Sequence, residues 1–256
     1  MFIRQIRNAT LIIEYAGKKF LVDPMLSAKG TYPGFPGTAN DHLANPLVDL
    51  PAPAEQLLDV DAVIVTHMHL DHWDDLAKEI IPKDILMFVQ NEEDAVEIQK
   101  SGFTNLRVLS EDTHFDGICM TKTSGQHGSD EALDKLGARL GHVCGIVFSH
   151  QNEKTLYLAG DTVWNQYVVS NLETYKPDVV IVNCGDAQIP GLGSIIMNAS
   201  DVEQVCRKVP QATVIASHME AVNHCMLSRK ELREFLIEKG LEKQVLVPDD
   251  GETCQI

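Results

Sequence analysis

Thr66-His67-Met68-His69-Leu70-Asp71-His72 follows directly on Asp61 and the apolar run Ala62-Val63-Ile64-Val65. A short unbroken stretch of β-branched residues reads as a buried strand, so the polar cluster sits where such a strand ends. Three of the chain's ten histidines fall within these six positions, with Asp71 between the last two. If the chain stays extended after Thr66, His67 and His69 project to the same side, because side chains alternate along a strand. It is then expected to turn into a helix running through Ile80, with Asp71 and His72 in the opening turn and reaching toward a second ion. Imidazole nitrogen and carboxylate oxygen suit Zn²⁺ at about 2.0 to 2.2 Å, and a catalytic site takes about three protein ligands while leaving a position for water. Each half-site in the motif is therefore short of ligands.

Upstream, Ile3 to Val22 alternates apolar and polar residues and turns at Ala16-Gly17-Lys18, the pattern of short antiparallel strands in a hairpin. From Asp23 to about Glu55 the alternation stops, and Pro24, Pro33, Pro36, Pro46, Pro51 and Pro53 are interspersed with Gly30, Gly34 and Gly37. A connection this long is uncommon inside a domain unless it is functional. Tyr32, Phe35, His42 and Leu43 give it anchors, so an ordered loop near the site, with a lid role left open for 24–55, is expected. Downstream, strand-like runs recur at 85–89, 118–123, 144–149, 155–158, 179–182 and 214–216. Helix starts are expected at Asn91, at Ser200-Asp201-Val202-Glu203 and at Ser228-Arg229-Lys230-Glu231. A strand-rich first half and an α/β second half predict two packed sheets with helices outside, in one domain spanning 1–256.

Lys and Arg total 21 against 37 Asp and Glu, a formal charge of -16 with no basic cluster, which argues against a nucleic-acid partner. A small-molecule substrate is the expected partner; a homo-oligomer is compatible with the sequence. No apolar stretch approaches the roughly 18 residues needed to cross a bilayer, and the first residues lack the pattern of a signal peptide, so a cytoplasmic location is the expectation. Cys119, Cys144, Cys184, Cys206, Cys225 and Cys254 stand singly, without a Cys-x-x-Cys pair, and read as mostly buried, reduced thiols.

The missing ligands are sought at other strand ends: His127 after Ser124-Gly125-Gln126, Asp161 in Ala159-Gly160-Asp161-Thr162, and His218 after Ala216-Ser217. Each alone reads as a capping or surface residue. With the cluster they form a set, and the order His67-x-His69-x-Asp71-His72, His127, Gly160-Asp161-Thr162, His218 resembles the metallo-β-lactamase fold superfamily. That resemblance implies an αββα sandwich of two mixed sheets flanked by helices. It further implies that His67, His69 and His127 hold one metal and Asp71, His72 and His218 a second, with Asp161 bridging. The implied cofactor is Zn²⁺, one or two ions, with Mn²⁺ or Fe as alternatives. Asp161 stands where the antibiotic-degrading members carry a Cys ligand, and His69 where flavodiiron proteins carry Glu, which disfavours both activities. Val22-Asp23-Pro24, Gly160-Asp161-Thr162 and the His218 segment most resemble the branch containing ascorbate-6-phosphate lactonase.

Paired cations can bring the pKa of a shared water from about 15.7 toward 7, and no Gly-x-Ser-x-Gly elbow offers a serine nucleophile instead. The expected function is metal-dependent hydrolysis of a lactone, ester or amide, with Asp71 also orienting the attacking water. A phosphodiesterase or nuclease of the same fold is the alternative; behind it come a non-catalytic metal-binding domain and a mononuclear iron dioxygenase. His224, as a catalytic residue, and Asn223 are placed to contact substrate. Asp74 is set either to orient an imidazole or, preferably, to face solvent from a helix. Asp186 and His42 are placed to approach the site, each against a plain loop role, while His114, His142 and His150 read as structural.

Overall fold

The computed structural model describes residues 1–256. The first sheet begins with β1 (Phe2–Arg7), β2 (Thr10–Tyr15) and β3 (Lys18–Val22), an antiparallel meander that contains a second turn at Asn8-Ala9 besides the expected one at Gly17. It continues in parallel through β4 (Ala62–Val65), β5 (Leu86–Val89) and β6 (Leu106–Val108). The second sheet has the same division. Strands β7 (Thr113–Phe115), β8 (Ile118–Ser124), β9 (Cys144–Ser149) and β10 (Leu156–Leu158) run antiparallel. The parallel half adds β11 (Val179–Asn183), then, past a small β12–β13 ribbon (Gln188–Ile189 and Gly193–Ser194), β14 (Thr213–Ser217) and β15 (Val245–Leu246). The last strand, β16 (Thr253–Gln255), returns to pair with β1. Both sheets are therefore mixed, as expected.

The parallel strands read as unbroken apolar runs because both of their faces are buried. In β4, Ala62 and Ile64 enter the core between the sheets while Val63 and Val65 face the outer helices; in β11, Val179 and Ile181 point in and Val180 and Val182 point out. The antiparallel β2 sends Leu11, Ile13 and Tyr15 into the same inter-sheet core. Helices α1 (Asp75–Ile80) and α2 (Glu92–Lys100) carry apolar residues of the layer outside the first sheet. Of α3 (Asp130–Leu140), α4 (Gln166–Tyr175), α5 (Ala199–Lys208) and α6 (Arg229–Lys239), the last three supply the layer outside the second. The order of layers is αββα.

Asn91 caps α2 and Ser228 caps α6 with a full capping box, as the spacing predicts. Two helix starts differ from expectation. Helix α5 is capped by Asn198, with Asp201 as the reciprocal residue, so it begins before Ser200. Helix α1 begins only at Asp75, capped by Asp74; Asp71 and His72 lie in a preceding turn where the amides of His72 and Trp73 both donate to the His69 carbonyl. The reason is a competing cap, since the Asp74 side chain satisfies the Ala77 amide and fixes the helix origin one turn later.

Candidate metal centre

Every motif residue lies just beyond the C-terminal end of a strand. Strand β4 leads into His67–His72, β8 into His127, β10 into Asp161 and β14 into His218. In open α/β sheets this edge is where loops form a crevice over a rigid frame. The turn before Asp161 needs Gly160: its φ is 68°, and a side chain there would run into the Cys144 carbonyl.

The structure brings all seven side chains together. Donor atoms of His67, His69 and His127 lie within 4.8 Å of one another, as do those of His67, His72 and Asp161 and those of Asp71, His72 and His218. Asp161 Oδ2 sits between the groups, 3.1 Å from His72 Nε2, 3.6 Å from His218 Nε2, 3.7 Å from His127 Nε2 and 3.8 Å from His67 Nε2. Its other oxygen is occupied, accepting a 2.7 Å bond from Asn183 Nδ2. Only one carboxylate oxygen therefore faces all four imidazoles.

Each of the five rings also has a fixed outer partner. His127 Nδ1 donates to the Ile195 carbonyl at 2.8 Å, and His69 Nε2 to the Arg139 carbonyl at 3.0 Å. His72 Nδ1 lies 2.9 Å from Asp23 Oδ2, and His218 Nδ1 3.5 Å from Cys225 Sγ. His67 Nδ1 lies 3.2 Å from the Thr66 hydroxyl, which itself donates to Asp23 Oδ2 at 2.7 Å. Such partners fix the ring orientation, so that the inward nitrogen is the one offered to a metal. The inward set is Nδ1 of His69 and Nε2 of the other four, a donor set that fits divalent cations such as Zn²⁺. Asp23 and His218 are themselves held at positive φ, 46° and 60°, a conformation costing about 1 to 3 kcal/mol each and tolerated where geometry is functional.

Electrostatics follow from carboxylates and imidazoles sharing a dry space. Burial acts to discharge Asp71 and Asp161, yet the facing His72 and His218 hold both carboxyls well below the usual range. Burial also opposes charge on His72, but Asp161, Asp23 and Asp71 lift it to about 10, and Asp161 likewise helps raise His218. His67 and His127 are instead lowered, the latter to about 4, chiefly by burial. Three carboxylates thus hold positive charge on His72 and His218, the charge that a cation supplies when it displaces those protons.

Beside the cluster is a cavity of about 120 Å³ lined by Asp71, His127, Asp161, His224, Arg139 and the apolar side chains of Phe35, Leu70, Leu140, Ile189 and Ile195, among others. Phe35 comes from the long Pro/Gly-rich loop, which is tied down at several points. Arg7 donates to the carbonyls of Met25, Ser27 and Val48, and Asn223 bonds the Phe35 amide, Asn45, the Thr38 hydroxyl and the Ala39 carbonyl. Asn223→Ala strips partners from several buried groups, each costing about 1 to 3 kcal/mol when unpaired. We expect a loss of roughly 3 kcal/mol in urea unfolding; a change under about 0.5 kcal/mol, the range of an ordinary surface substitution, would refute the clamp.

The beta-lactamase superfamily domain model matches residues 18–219. The UPF0173 protein YddR of Bacillus subtilis (strain 168) is 54% identical over 254 residues, covering 99% of both chains. A UPF0173 metal-dependent hydrolase of Methanopyrus kandleri is 26% identical across 100% of both. The chain belongs to the UPF0173 metal-dependent hydrolase family of the beta-lactamase superfamily. Among solved structures, the isothiocyanate hydrolase from Delia radicum gut bacteria superposes with a TM-score of 0.98 at 52% identity, covering 100% of this chain and 99% of that one.

Several residues of this UPF0173 protein lie elsewhere than expected. Asp74 neither faces solvent nor touches an imidazole: it is buried, caps α1 and accepts from the Ser27 amide. The imidazole-orienting carboxylate is Asp23, which follows the end of β3 and whose sequence signals, that place and the Val22-Asp23-Pro24 resemblance, did not reveal this role. His42 is exposed and does not line the cavity, and Leu43 beside it is exposed too, because the loop is anchored through Phe35 and Asn45 instead. Asp186 closes a turn, bonding Ser194 and Gln188 at a φ of 53°, so its side chain is spent on the β12–β13 ribbon. Asn223 serves the loop rather than the cavity. Cys119 and Cys225 are half-buried and the other four cysteines are buried; all six are free. No helix is long and apolar enough to cross a membrane.

Proposed function

We propose that residues 1–256 form one hydrolase domain that adds water to the central carbon of an isothiocyanate. The observation that carries this reading is the 52% identity, end to end, with an isothiocyanate hydrolase. The cavity agrees: it is small, it abuts the histidine and aspartate cluster, and its apolar lining suits the organic tail of a neutral substrate. We assign His67, His69 and His127 to one cation, Asp71, His72 and His218 to a second, and Asp161 Oδ2 to both; Zn²⁺ is the first choice, with Mn²⁺ or Fe as alternatives. A bound pair of such ions supplies a water nucleophile at neutral pH.

The protein's own groups do the positioning. Asp71 lines the cavity, and its carboxylate, held through Oδ2 by His218 at 3.2 Å and Asn8 at 3.4 Å, is placed to orient a water. Phe35, Ile189, Ile195 and Leu140 exclude bulk solvent around the tail. In the net reaction R–N=C=S and water give the thiocarbamic acid, which separates into an amine and carbonyl sulfide.

The lactone, ester or amide expected from the sequence is the second reading, because a carbonyl carbon is attacked in the same way. A phosphodiester fits less well, since Arg139 is the one Lys or Arg side chain lining the cavity. The test is a panel of benzyl isothiocyanate, γ-butyrolactone, p-nitrophenyl acetate and bis(p-nitrophenyl) phosphate with defined metals. We expect kcat/KM for the isothiocyanate to exceed that for the phosphodiester by ~10²-fold, about 2.7 kcal/mol. Absent isothiocyanate turnover, or preference for the phosphodiester, sinks the proposal.

A further inference from the structure

His224 stands apart from the other imidazoles that face the cavity. It is 6% exposed, lines the same cavity as Asp71, Asp161 and His127, and meets the Phe35 ring edge-on at 5.2 Å between centroids. Each of the five rings in the cluster has a nitrogen held by an outer partner, whereas His224 Nδ1 is buried without any hydrogen bond. Its Nε2 has no protein partner either, and it is the nitrogen left with access to the cavity. Its backbone is fixed, with the His224 carbonyl accepting from Gln188 at 2.9 Å and neighbouring Asn223 clamped to the loop. A buried polar group without a partner costs about 1 to 3 kcal/mol, and a phenyl ring would fill the space without that cost. Packing therefore does not account for an imidazole here. A ligand atom does.

Burial keeps the ring neutral, lowering it to about 4. A neutral imidazole can donate one hydrogen bond without surrendering its proton, as an electrophilic group should. When water adds across the C=N bond of an isothiocyanate, a C–O bond forms, the C=N π pair moves to nitrogen, and one water proton ends on that nitrogen. Negative charge passes through the nitrogen on the way. We infer that His224 is a catalytic residue whose Nε2–H donates a hydrogen bond to this nitrogen and stabilises the charge gathering there. The inference rests on the isothiocyanate reading above.

The test compares His224→Phe and His224→Gln with the wild type, all metal-loaded. A donor aimed at developing charge is worth about 10²-fold or more in kcat. His224→Phe should lose ~10²-fold in kcat with KM little changed, while its Tm stays level or rises. His224→Gln, which keeps an N–H at similar reach, should recover about tenfold of that loss. Retention of kcat within twofold by the Phe variant, or a lowered Tm together with equal losses in Phe and Gln, overturns the assignment. If the wild type hydrolyses no isothiocyanate, the functional reading falls, and His224 is judged by binding of the thiocyanate anion, measured by calorimetry. About tenfold weaker binding in His224→Phe than in wild type supports a ligand-facing donor; equal binding, or none by the wild type, removes it.

Discussion

Asp161→Ala is expected to lower hydrolysis by about 10³-fold and to leave the protein with at most one bound cation. The reasoning is geometric. Asp161 Oδ2 is the one oxygen within 4 Å of inward nitrogens from both histidine groups, and no other carboxylate is placed to substitute for it. Asp71 reaches only the His72 and His218 side. Removal of Asp161 also leaves five imidazoles facing one another with less negative charge, so a cation there meets weaker attraction and more exposed ligands. Polarisation by a bound metal is worth several kcal/mol, and each 1.36 kcal/mol is tenfold in rate, which gives the stated magnitude. Metal content by elemental analysis beside kcat on the same preparation checks it. A full complement of two ions in the variant would remove Asp161 from the bridging position. Asp161→Asn serves as the companion, because it preserves shape while removing the charge.

Asp23→Asn should cost 10- to 100-fold in metal affinity, although Asp23 touches no proposed ion. Its carboxylate accepts from the Thr66 amide and the Thr66 hydroxyl at 2.7 Å each and from His72 Nδ1 at 2.9 Å. Through Thr66 it sets the tautomer of His67, and directly it sets that of His72, one ring in each proposed half-site. The Thr66 hydroxyl and His72 Nδ1 both end on Oδ2 and the Thr66 amide on Oδ1, so an amide here turns its nitrogen either toward both ring anchors or toward the Thr66 N–H, and in each case a donor at the strand end loses its acceptor. Affinity measured by chelator competition, together with circular dichroism to confirm the fold, separates this from unfolding. Wild-type affinity in the variant would show that Asp23 only supports the strand end. Thr66→Val should reproduce part of the effect on the His67 side alone.

Much of this was legible in the chain. The strand before the motif, the buried runs at Val179–Val182 and Val214–Ala216, and the caps at Asn91 and Ser228 were readable because each is a local matter of burial on two faces or of one side chain meeting one amide. The seven clustered residues were named for the same reason: each follows a strand, and their types share one chemistry. Asp74 shows where local reading fails. A carboxylate three residues before Ala77 could cap a helix, orient a ring or face water, and the choice depends on the loop segment at Ser27 that packs over it. Asp186 and His42 were ambiguous in the same way.

The αββα sandwich and the division of ligands between ions came from the superfamily resemblance, while residue type and spacing by themselves pointed to two packed sheets with helices outside and to candidate ligands at strand ends, since these are properties of short segments. What they could not determine was partnership across long separations. Asp23 with His72 and Asn183 with Asp161 meet because distant segments become neighbouring parallel strands of one sheet, and Asn223 with the loop at Phe35 and the partnerless ring of His224 follow when the two sheets close on a common core. Whether a polar side chain is spent on its neighbours or left facing the cavity is decided by that closure, because the low-polarity interior makes every unpaired group costly and therefore assigns the partners.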